Sequence, residues 1–381
     1  MHIPKEFLEN QAFFCSPLAF SRQIPVNANP ILMADPNGSY IPEGAVTQED
    51  GTVKVAFYAP EAETVTAFHE DVSVDLVKDE AGLWTGILPY YEPGFKQLGF
   101  KVNGVTVLNR MAPVGFGSNT PLNYVEVPDT ECDFLLLKDV PHGSVTREYF
   151  KSTYTGRFIS CLVYTPPGYQ QDLSVNYPVL YLQHGGGENE TSWVYQGKIN
   201  FTMDNLIAEG KAVPCIIVMS NGMVQLDDGK GGTAVRAWEF ENLLFQDVIP
   251  FIEKTYRVKP GKENRAIAGL SLGSLQCGKI ILEHPDMFIA AGLFTGITSP
   301  FSDPSEQHHL KALDNAEYLN KEIKVLFRAI GDSESSYELI RNETKILEEK
   351  GVNNIEKVYP GEHEWRVWRR AACDFLQLIF K

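Results

Sequence analysis

The sequence predicts two domains, a β-sandwich followed by an α/β domain with a mostly parallel sheet. Its 381 residues are more than one ordinary domain contains. Between residues 31 and 127, short strands of alternating polarity are separated by turns, and no stretch has the length and period of a helix. After Thr146, continuous apolar runs alternate with helical patterns, which is typical of a parallel sheet with helices on both faces.

The domain boundaries follow from these changes in pattern. We expect an N-terminal extension at residues 1–29, the β-sandwich at 30–128, a linker at 129–144 and the α/β domain at 145–381. The linker encloses one apolar run at residues 134–137. The extension is irregular, and its expected anchors on a neighbouring surface are Phe13, Phe14, Leu18 and Phe20.

Three local patterns characterise the first domain. Ala59-Pro60-Glu61-Ala62 makes a turn after an alternating run, and Asp79-Glu80-Ala81-Gly82 makes another before the strand with Trp84. Within Gly99-Phe100-Lys101-Val102-Asn103-Gly104, the Asn-Gly pair is a strong signal for a β-hairpin. This order resembles the family forty-eight carbohydrate-binding modules and related immunoglobulin-like, early-set domains. In such domains we expect Trp84 in the core rather than as a sugar-stacking platform.

The second domain is predicted from apolar runs and helical periodicity. We expect strands at residues 159–164, 179–183, 216–219, 265–268, 291–294, 325–330 and 356–359. We expect helices at residues 203–208, 242–256, 275–283, 337–350 and 365–380.

Composition narrows the class of function. A formal net charge of −16 makes nucleic acid and anionic membrane surfaces poor partners. The six cysteines form no C-x-x-C pair, so we expect buried free thiols rather than a metal or redox site. We expect no membrane insertion, because no apolar run is long enough to cross a bilayer. The first residues do not begin a signal peptide, although removal of a leader would leave the same sequence.

The central motif is Gly269-Leu270-Ser271-Leu272-Gly273. It stands between a predicted strand and a predicted helix, which is the position of the nucleophile elbow in α/β-hydrolases. Glycines two positions from the serine avoid collisions at a sharp turn that raises the hydroxyl above the sheet. The amide of Leu272 is then free to bind an oxyanion.

A nucleophilic serine needs a base, and in this fold an acid and then a histidine follow it along the chain. His363 follows the last predicted strand and precedes the last helix, so we predict that it is the base. His284 lies too far along the elbow helix to reach the serine. His308 and His309 stand in a polar stretch with no strand before them.

The acid is expected on the loop after the strand at residues 325–330, which offers Asp332 and Glu334. Either carboxylate could hold the imidazole in the required tautomer. The spacing of three residues after Gly331 favours Glu334, whereas the shorter side chain and the commoner residue type favour Asp332. We predict Glu334 and keep Asp332 as the alternative.

A glycine-rich loop, Gly185-Gly186-Gly187, follows the strand at residues 179–183 and is the expected source of the second oxyanion donor. We predict the amide of Gly186 for this role, with Gly187 next and adjacent to the substrate. His184 is expected to brace the loop rather than transfer protons.

Two further features are ambiguous from sequence. The segment at residues 226–232 lacks the spaced carboxylates of a calcium loop, so we expect a mobile loop beside the site. Trp365, two residues after the predicted base, is the best candidate for contact with substrate. Trp193, Trp238 and Trp368 fall near site loops and fit the core as well as a pocket.

Residues 145–381 resemble the esterase family that includes esterase D, and within it the feruloyl and acetyl-xylan esterases of carbohydrate esterase family one. The matching motifs are Tyr181-Leu182-Gln183-His184-Gly185-Gly186-Gly187 with Trp193, Asp204-Asn205-Leu206-Ile207-Ala208, residues 250–258, residues 265–273 and residues 361–369. The chain departs from the family at two positions, with Ser274 in place of a glycine and Glu334 in place of an aspartate.

The resemblance implies a serine carboxylesterase that needs no cofactor or metal. Its expected partner is a feruloylated or acetylated plant polysaccharide or oligosaccharide, and ferulate release from xylan is the first expectation. A secreted or periplasmic location is also implied. Acetyl-xylan esterase and enterochelin-type siderophore esterase are the alternatives, and a non-catalytic carbohydrate-binding protein is the alternative from another class.

Overall fold

The computed structural model describes residues 2–8, 44–89, 91–295 and 313–381. The chain divides into two compact units, Met1–Leu136 and Leu137–Lys381, and this division falls inside the segment predicted as a linker. Several residues of the sequence analysis lie outside the described ranges: Phe13, Phe14, Cys15, Leu18, Phe20, His308 and His309.

The first unit is a β-sandwich of two antiparallel sheets. Its strands are β1 (Ala45–Thr47), β2 (Val53–Tyr58), β3 (Val65–His69), β4 (Val72–Asp75), β5 (Val77–Lys78), β6 (Leu83–Leu88), β7 (Gly94–Val102), β8 (Val105–Val107), β9 (Val114–Gly117) and β10 (Thr120–Val127). One sheet has the order β1-β2-β6-β5. The other has the order β4-β3-β7-β10-β9, with β8 paired to β7.

Alternating polarity places one face of each sheet in the sandwich core. In β2, Val53 and Val55 are fully buried while Lys54 is exposed. Trp84 is 6% exposed and its indole N–H donates to the carbonyl of Ala59, so the prediction of a core tryptophan is confirmed. The predicted hairpin is also confirmed, because Asn103 and Gly104 form the two-residue turn between β7 and β8.

The second unit is built on a mixed sheet with the order β11-β12-β14-β13-β17-β18-β19-β20. The strands from β14 to β20 in this order are parallel, whereas β12 is antiparallel to both of its neighbours. Their bounds are β11 (Ser144–Lys151), β12 (Phe158–Thr165), β13 (Val179–Gln183), β14 (Ile216–Ser220), β17 (Arg265–Leu270), β18 (Ala290–Phe294), β19 (Val325–Gly331) and β20 (Ile355–Tyr359). A separate ribbon pairs β15 (Gln225–Asp227) with β16 (Thr233–Val235).

Helices cover this sheet and complete an α/β-hydrolase fold. They are α1 (Ser192–Tyr195), α2 (Ile199–Ala208), α3 (Phe240–Leu243), α4 (Ile249–Thr255), α5 (Leu272–Glu283), α6 (Ala316–Glu322), α7 (Tyr337–Glu349) and α8 (Trp365–Leu376). A π-helical turn, Leu244–Val248, joins α3 to α4. The predicted strands of this unit are all present, and their ends lie within two residues of the expected positions.

Two strand features of this unit were not predicted. Strand β11 lies at the edge of the sheet, and its residues are mostly exposed, so it has no apolar run to reveal it. The ribbon of β15 and β16 occupies the segment predicted as a mobile loop. There the Asp228 carboxylate accepts from the amides of Lys230 and Gly232 and so closes the turn.

Parallel strands present their carboxyl ends at one edge of the sheet. The loops after β13, β17, β19 and β20 therefore meet there. These are the loops that carry the glycine-rich segment, Ser271, the two candidate acids and His363.

Candidate active site

Ser271 occupies a strained turn between β17 and α5. Its φ is +50° and its ψ is −122°, a conformation that non-glycine residues rarely adopt. A Cβ atom on Gly269 would lie 2.6 Å from the backbone carbonyl of Gly273, and one on Gly273 would lie 2.3 Å from the carbonyl oxygen of His184. Close backbone packing therefore requires both glycines of the motif, as expected for a nucleophile elbow.

His363 lies between the serine and a carboxylate. Its Nε2 is 2.8 Å from Oγ of Ser271, and its Nδ1 is 2.8 Å from Oε1 of Glu334. An ionised carboxylate only accepts, so Nδ1 carries the proton and Nε2 is left to accept the serine hydroxyl proton. The Glu334 side chain is 2% exposed whereas that of His363 is 47% exposed, so the imidazole remains open to substrate.

The structure places Glu334, and not Asp332, against the imidazole. Glu334 also accepts from the hydroxyl of Ser336 at 2.8 Å. Asp332 is exposed and turns to the other side, where it accepts from the amide of Gly361 at 3.1 Å and from the hydroxyl of Ser333 at 2.8 Å. These bonds hold the pKa of Asp332 below its ordinary value, and the first of them ties the acid loop to the loop of the base.

The glycine-rich loop lies directly against the nucleophile. A Cβ on Gly185 would approach Cδ1 of Leu270 to 2.6 Å and Cβ of Ser271 to 3.3 Å. A Cβ on Gly186 would lie 3.7 Å from Cβ of Leu272. Gly187 has a φ of +73°, in the region that favours glycine. The two predicted oxyanion donors thus belong to neighbouring backbone segments, and their roles, like the substrate contact of Gly187, stay predictions.

His184 braces this loop from below. Its Nε2 accepts from the amide of Gly222 at 3.1 Å, and its Nδ1 donates to the carbonyl of Gly185 at 2.8 Å. Burial lowers the pKa of His184 and so favours the neutral ring that both bonds require. A neutral, enclosed imidazole agrees with the expectation of a bracing role.

Glu188 is a site residue that sequence reasoning missed. Its Oε2 accepts from the amide of Gly185 at 3.0 Å, and its Oε1 accepts from the indole of Trp365 and the amide of Gln196, each at 3.2 Å. Burial raises the pKa of Glu188 to about 7, against the effect of these three donors. The only sequence signal is a carboxylate that directly follows three glycines.

Tryptophans pack together behind the site. Trp365 is 4% exposed, and its ring meets those of Trp193 and Trp368 edge-on at centroid distances of 5.1 and 5.3 Å. Trp368 meets His363 in the same way at 5.0 Å. These contacts of Trp365 are internal, and its predicted contact with substrate stays a prediction. Trp238 is 47% exposed.

A cavity of about 580 Å³ opens at the same edge of the sheet. It lies near the ends of β12 and β14, and Glu190 brings the far end of the glycine-rich loop to its wall. Its lining divides almost evenly between polar and apolar groups and includes Phe158, which is 76% exposed. Other lining residues are Lys151, Arg157, Ser160, Asn221 and Gln225.

One group in the described ranges brings possible metal ligands together. Ligand atoms of Glu241, Glu283 and His284 lie within 4.8 Å of one another. This group is at the opposite end of α5 from Ser271, and His284 is hydrogen-bonded to Glu241 at 2.9 Å. His284 is therefore separated from the serine, as expected, and the group has no part in the site.

A strained serine at the carboxyl edge of this sheet, in line with an imidazole and a carboxylate, defines the class of serine hydrolases with the α/β-hydrolase fold. The family model described as "Putative esterase" matches residues 152–376, which is more than half of the chain. The chain therefore belongs to this esterase family.

Individual relatives support this placement. The chain is 37% identical over 314 residues to an endo-1,4-beta-xylanase/feruloyl esterase of Xylanibacter ruminicola, covering 80% of this chain and 41% of the relative. It thus spans less than half the length of that relative. A solved ferulic acid esterase is 25% identical with a TM-score of 0.54, over 62% of this chain and 97% of that one.

A third relative shares the fold alone. The enterobactin esterase FES from Shigella flexneri is 11% identical with a TM-score of 0.56. The match covers 86% of this chain and 92% of the other.

Proposed function

We propose that this protein is a feruloyl esterase, which releases ferulate from xylan-type polysaccharide through a serine acyl-enzyme. The observation that carries ester hydrolysis is the hydrogen-bonded series from Glu334 through His363 to Ser271, with both distances at 2.8 Å. The feruloyl assignment is supported by 37% identity to a xylanase/feruloyl esterase.

In the proposed mechanism, His363 Nε2 takes the hydroxyl proton as Ser271 Oγ attacks the ester carbonyl carbon. The oxyanion that forms is bound by the amides of Leu272 and Gly186. When the tetrahedral intermediate collapses, His363 returns the proton to the leaving alcohol and an acyl-enzyme remains. A water molecule, deprotonated by His363, then attacks the acyl carbon, and His363 returns the proton to Ser271 Oγ as the acid leaves. Glu334 stabilises the imidazolium at both stages.

We assign the sugar part of the ester to the cavity lined by Phe158 and Glu190. Its polar side chains can bond to sugar hydroxyls, and the exposed ring of Phe158 offers an aromatic surface for a sugar face. It also lies beside β12 and β14, within two or three strands of β17, so a chain of sugars bound there would extend from the scissile ester.

A polysaccharide substrate implies action outside the cytoplasm, so we propose a periplasmic or secreted location. In the described ranges, no helix has the length and apolarity to cross a membrane. The β-sandwich, by its resemblance to carbohydrate-binding modules, is proposed to contact the same polysaccharide.

The second candidate is a catecholate siderophore ester. Its support is the extent of the fold match to enterobactin esterase, which covers 86% of this chain. The two candidates differ in the acid that is released, so the substrates separate them directly.

The test compares three esters: methyl ferulate, p-nitrophenyl acetate and a cyclic catecholate siderophore. We expect wild type to hydrolyse the first two and Ser271→Ala to hydrolyse none, with a loss of at least about 10³-fold. Faster turnover of the siderophore would replace the feruloyl assignment. Equal inactivity of both proteins on every ester would leave a non-catalytic carbohydrate-binding protein.

A further inference from the structure

Glu188 is a carboxyl group beside the site to which the proposed mechanism gives no role. It accepts from Gly185 of its own loop, and two other segments meet it: the residue after α1 through Gln196 and the start of α8 through Trp365. It is also part-buried, where an unneeded charge would be costly. Its position calls for a functional reason.

The three donors to Glu188 favour its ionised form, although burial outweighs them and raises its pKa to about 7. A backbone amide and an indole are donors only, and the Gln196 group that faces Glu188 is its NH₂. A neutral carboxylic acid is a weaker acceptor than a carboxylate. The carboxylate therefore makes the stronger bonds to all three donors.

The first of these bonds determines the seat of the glycine-rich loop. Gly185 has no space for a Cβ between Leu270 and Ser271, so the loop presses on the nucleophile itself. The bond from its amide to Glu188 fixes the backbone that leads into Gly186, the proposed oxyanion donor. Small displacements of such a donor remove much of its effect in the transition state.

The bond from the Trp365 indole connects Glu188 to the segment that carries the base, His363. Trp365 follows His363 by two residues, and its ring packs on Trp368, which in turn packs on the imidazole. The Glu188 carboxylate is therefore connected both to the loop with the proposed oxyanion donor and to the segment with the base.

We propose that Glu188 is a positioning residue whose carboxylate ties the glycine-rich loop to the start of α8 and keeps the oxyanion donor and the base aligned over Ser271. It touches none of the reacting atoms. The proposal rests on the serine mechanism proposed above, and not on the identity of the acyl group.

The test is the isosteric variant Glu188→Gln in the full chain, assayed with p-nitrophenyl acetate at about pH 8, where a carboxyl group with a pKa of about 7 is mostly ionised. The NH₂ group of the introduced glutamine cannot accept from the Gly185 amide, so the glycine-rich loop loses this bond. We expect kcat to fall about 10- to 100-fold while KM stays within about twofold, since the lost interaction serves the transition state. The rate at which a fluorophosphonate labels Ser271 falls by a similar factor.

Glu362→Gln is the matched control. Glu362 is exposed and adjacent to His363 in sequence, so this variant removes a nearby negative charge without touching the loop. It is expected to keep wild-type kcat. An equal loss in both variants would show a general effect of charge and overturn the proposal.

Trp365→Phe supplies a second line of evidence, because it deletes one donor and keeps a ring. Introduced into the wild type, Trp365→Phe is expected to lower kcat about threefold. Introduced into Glu188→Gln, it is expected to cause no further loss, because the effects of two residues that share one interaction are not additive. If Glu188→Gln does not fold, an unchanged kcat in Trp365→Phe overturns the proposal. So does a folded Glu188→Gln with wild-type kcat, or with a raised KM alone.

The outcomes also separate this proposal from the feruloyl assignment. A wild-type protein that hydrolyses p-nitrophenyl acetate but not methyl ferulate would overturn the feruloyl assignment. The comparison of Glu188→Gln with wild type on p-nitrophenyl acetate would still be valid. A wild-type protein that is inert to both p-nitrophenyl acetate and the fluorophosphonate overturns the mechanism and the role of Glu188 together.

Discussion

The acid loop and the glycine-rich loop each carry an enclosed glutamate, but the two carboxyl groups face different partners. Glu334 accepts from the imidazole of His363 and from a serine hydroxyl. The three donors to Glu188 are neutral N–H groups. Each glutamate follows, by three residues, a glycine that has no room for a Cβ: Gly331 before Glu334 and Gly185 before Glu188.

This difference shows that the partner, and not the residue type, decides what a buried carboxylate does. His363 becomes cationic when it takes the serine proton, so Glu334 gains interaction energy as the reaction proceeds. The hydrogen-bond donors to Glu188 do not change charge, and the charge that forms on His363 reaches Glu188 only through space. The loss of Glu334 should therefore cost far more in rate than the loss of Glu188.

The largest expected effect comes from a comparison within the acid loop. Glu334→Ala should lower kcat by about 10³- to 10⁴-fold, because the imidazole loses its tautomer and the stabilisation of its charged form. Asp332→Ala should stay within about fivefold of wild type, since Asp332 binds Gly361 and Ser333 and not His363. Steady-state assays with p-nitrophenyl acetate measure both. A large loss in Asp332→Ala alone would identify the other carboxylate as the acid.

A smaller effect concerns stability and pH. The pKa of Glu188 in the folded protein is raised from 4.5 to about 7, so the folded protein binds this proton more tightly than the unfolded chain. Its stabilising contribution is complete below the unfolded pKa and is lost as the pH rises through about 7. The free energy of unfolding of wild type relative to Glu188→Gln should therefore fall between about pH 5 and about pH 8, by up to about 3 kcal/mol.

Denaturant titrations of the two proteins at both pH values measure this difference. Glu362→Gln provides the reference for an exposed carboxylate. A constant difference between wild type and Glu188→Gln across the range would mean that the three donors offset the cost of burial completely.

The smallest expected effect lies outside both loops. Phe158→Ala should reduce kcat/KM for a feruloylated xylo-oligosaccharide by about three- to tenfold, because an exposed aromatic surface of the cavity is lost. Its kcat/KM for methyl ferulate should not change, since a methyl ester does not reach the cavity. Equal losses on the two substrates would assign the cavity to the acyl group instead.

Sequence reasoning located the parts of the site that local pattern determines. The glycines around Ser271 follow from the geometry of one turn, and His363 follows from the order of strand, loop and helix. The choice of Glu334 over Asp332 depends on the path of a five-residue loop. Spacing favoured the residue that the structure places on the imidazole, but it gave no account of Asp332 turning to Gly361.

The parts that could not be predicted depend on distant segments or on exposure. Two partners of Glu188 lie 3 and 8 residues away along the chain, but the third, Trp365, lies 177 residues away, and no local pattern predicts that contact. Strand β11 is mostly exposed, so hydrophobic periodicity has nothing to detect. The same lack of an apolar signal hid the ribbon of β15 and β16.

The strained backbone of Ser271 has a free-energy cost that is met when the protein folds and not when the substrate binds. A non-glycine residue at a φ of +50° costs about 1–3 kcal/mol, and close packing of the elbow glycines holds it there. Folding supplies that energy, so the nucleophile is preorganised and an incoming ester need not distort the turn. Binding energy from the substrate can therefore be used to align the ester carbonyl. If the elbow were looser, part of that binding energy would instead be needed to order the turn in each catalytic cycle.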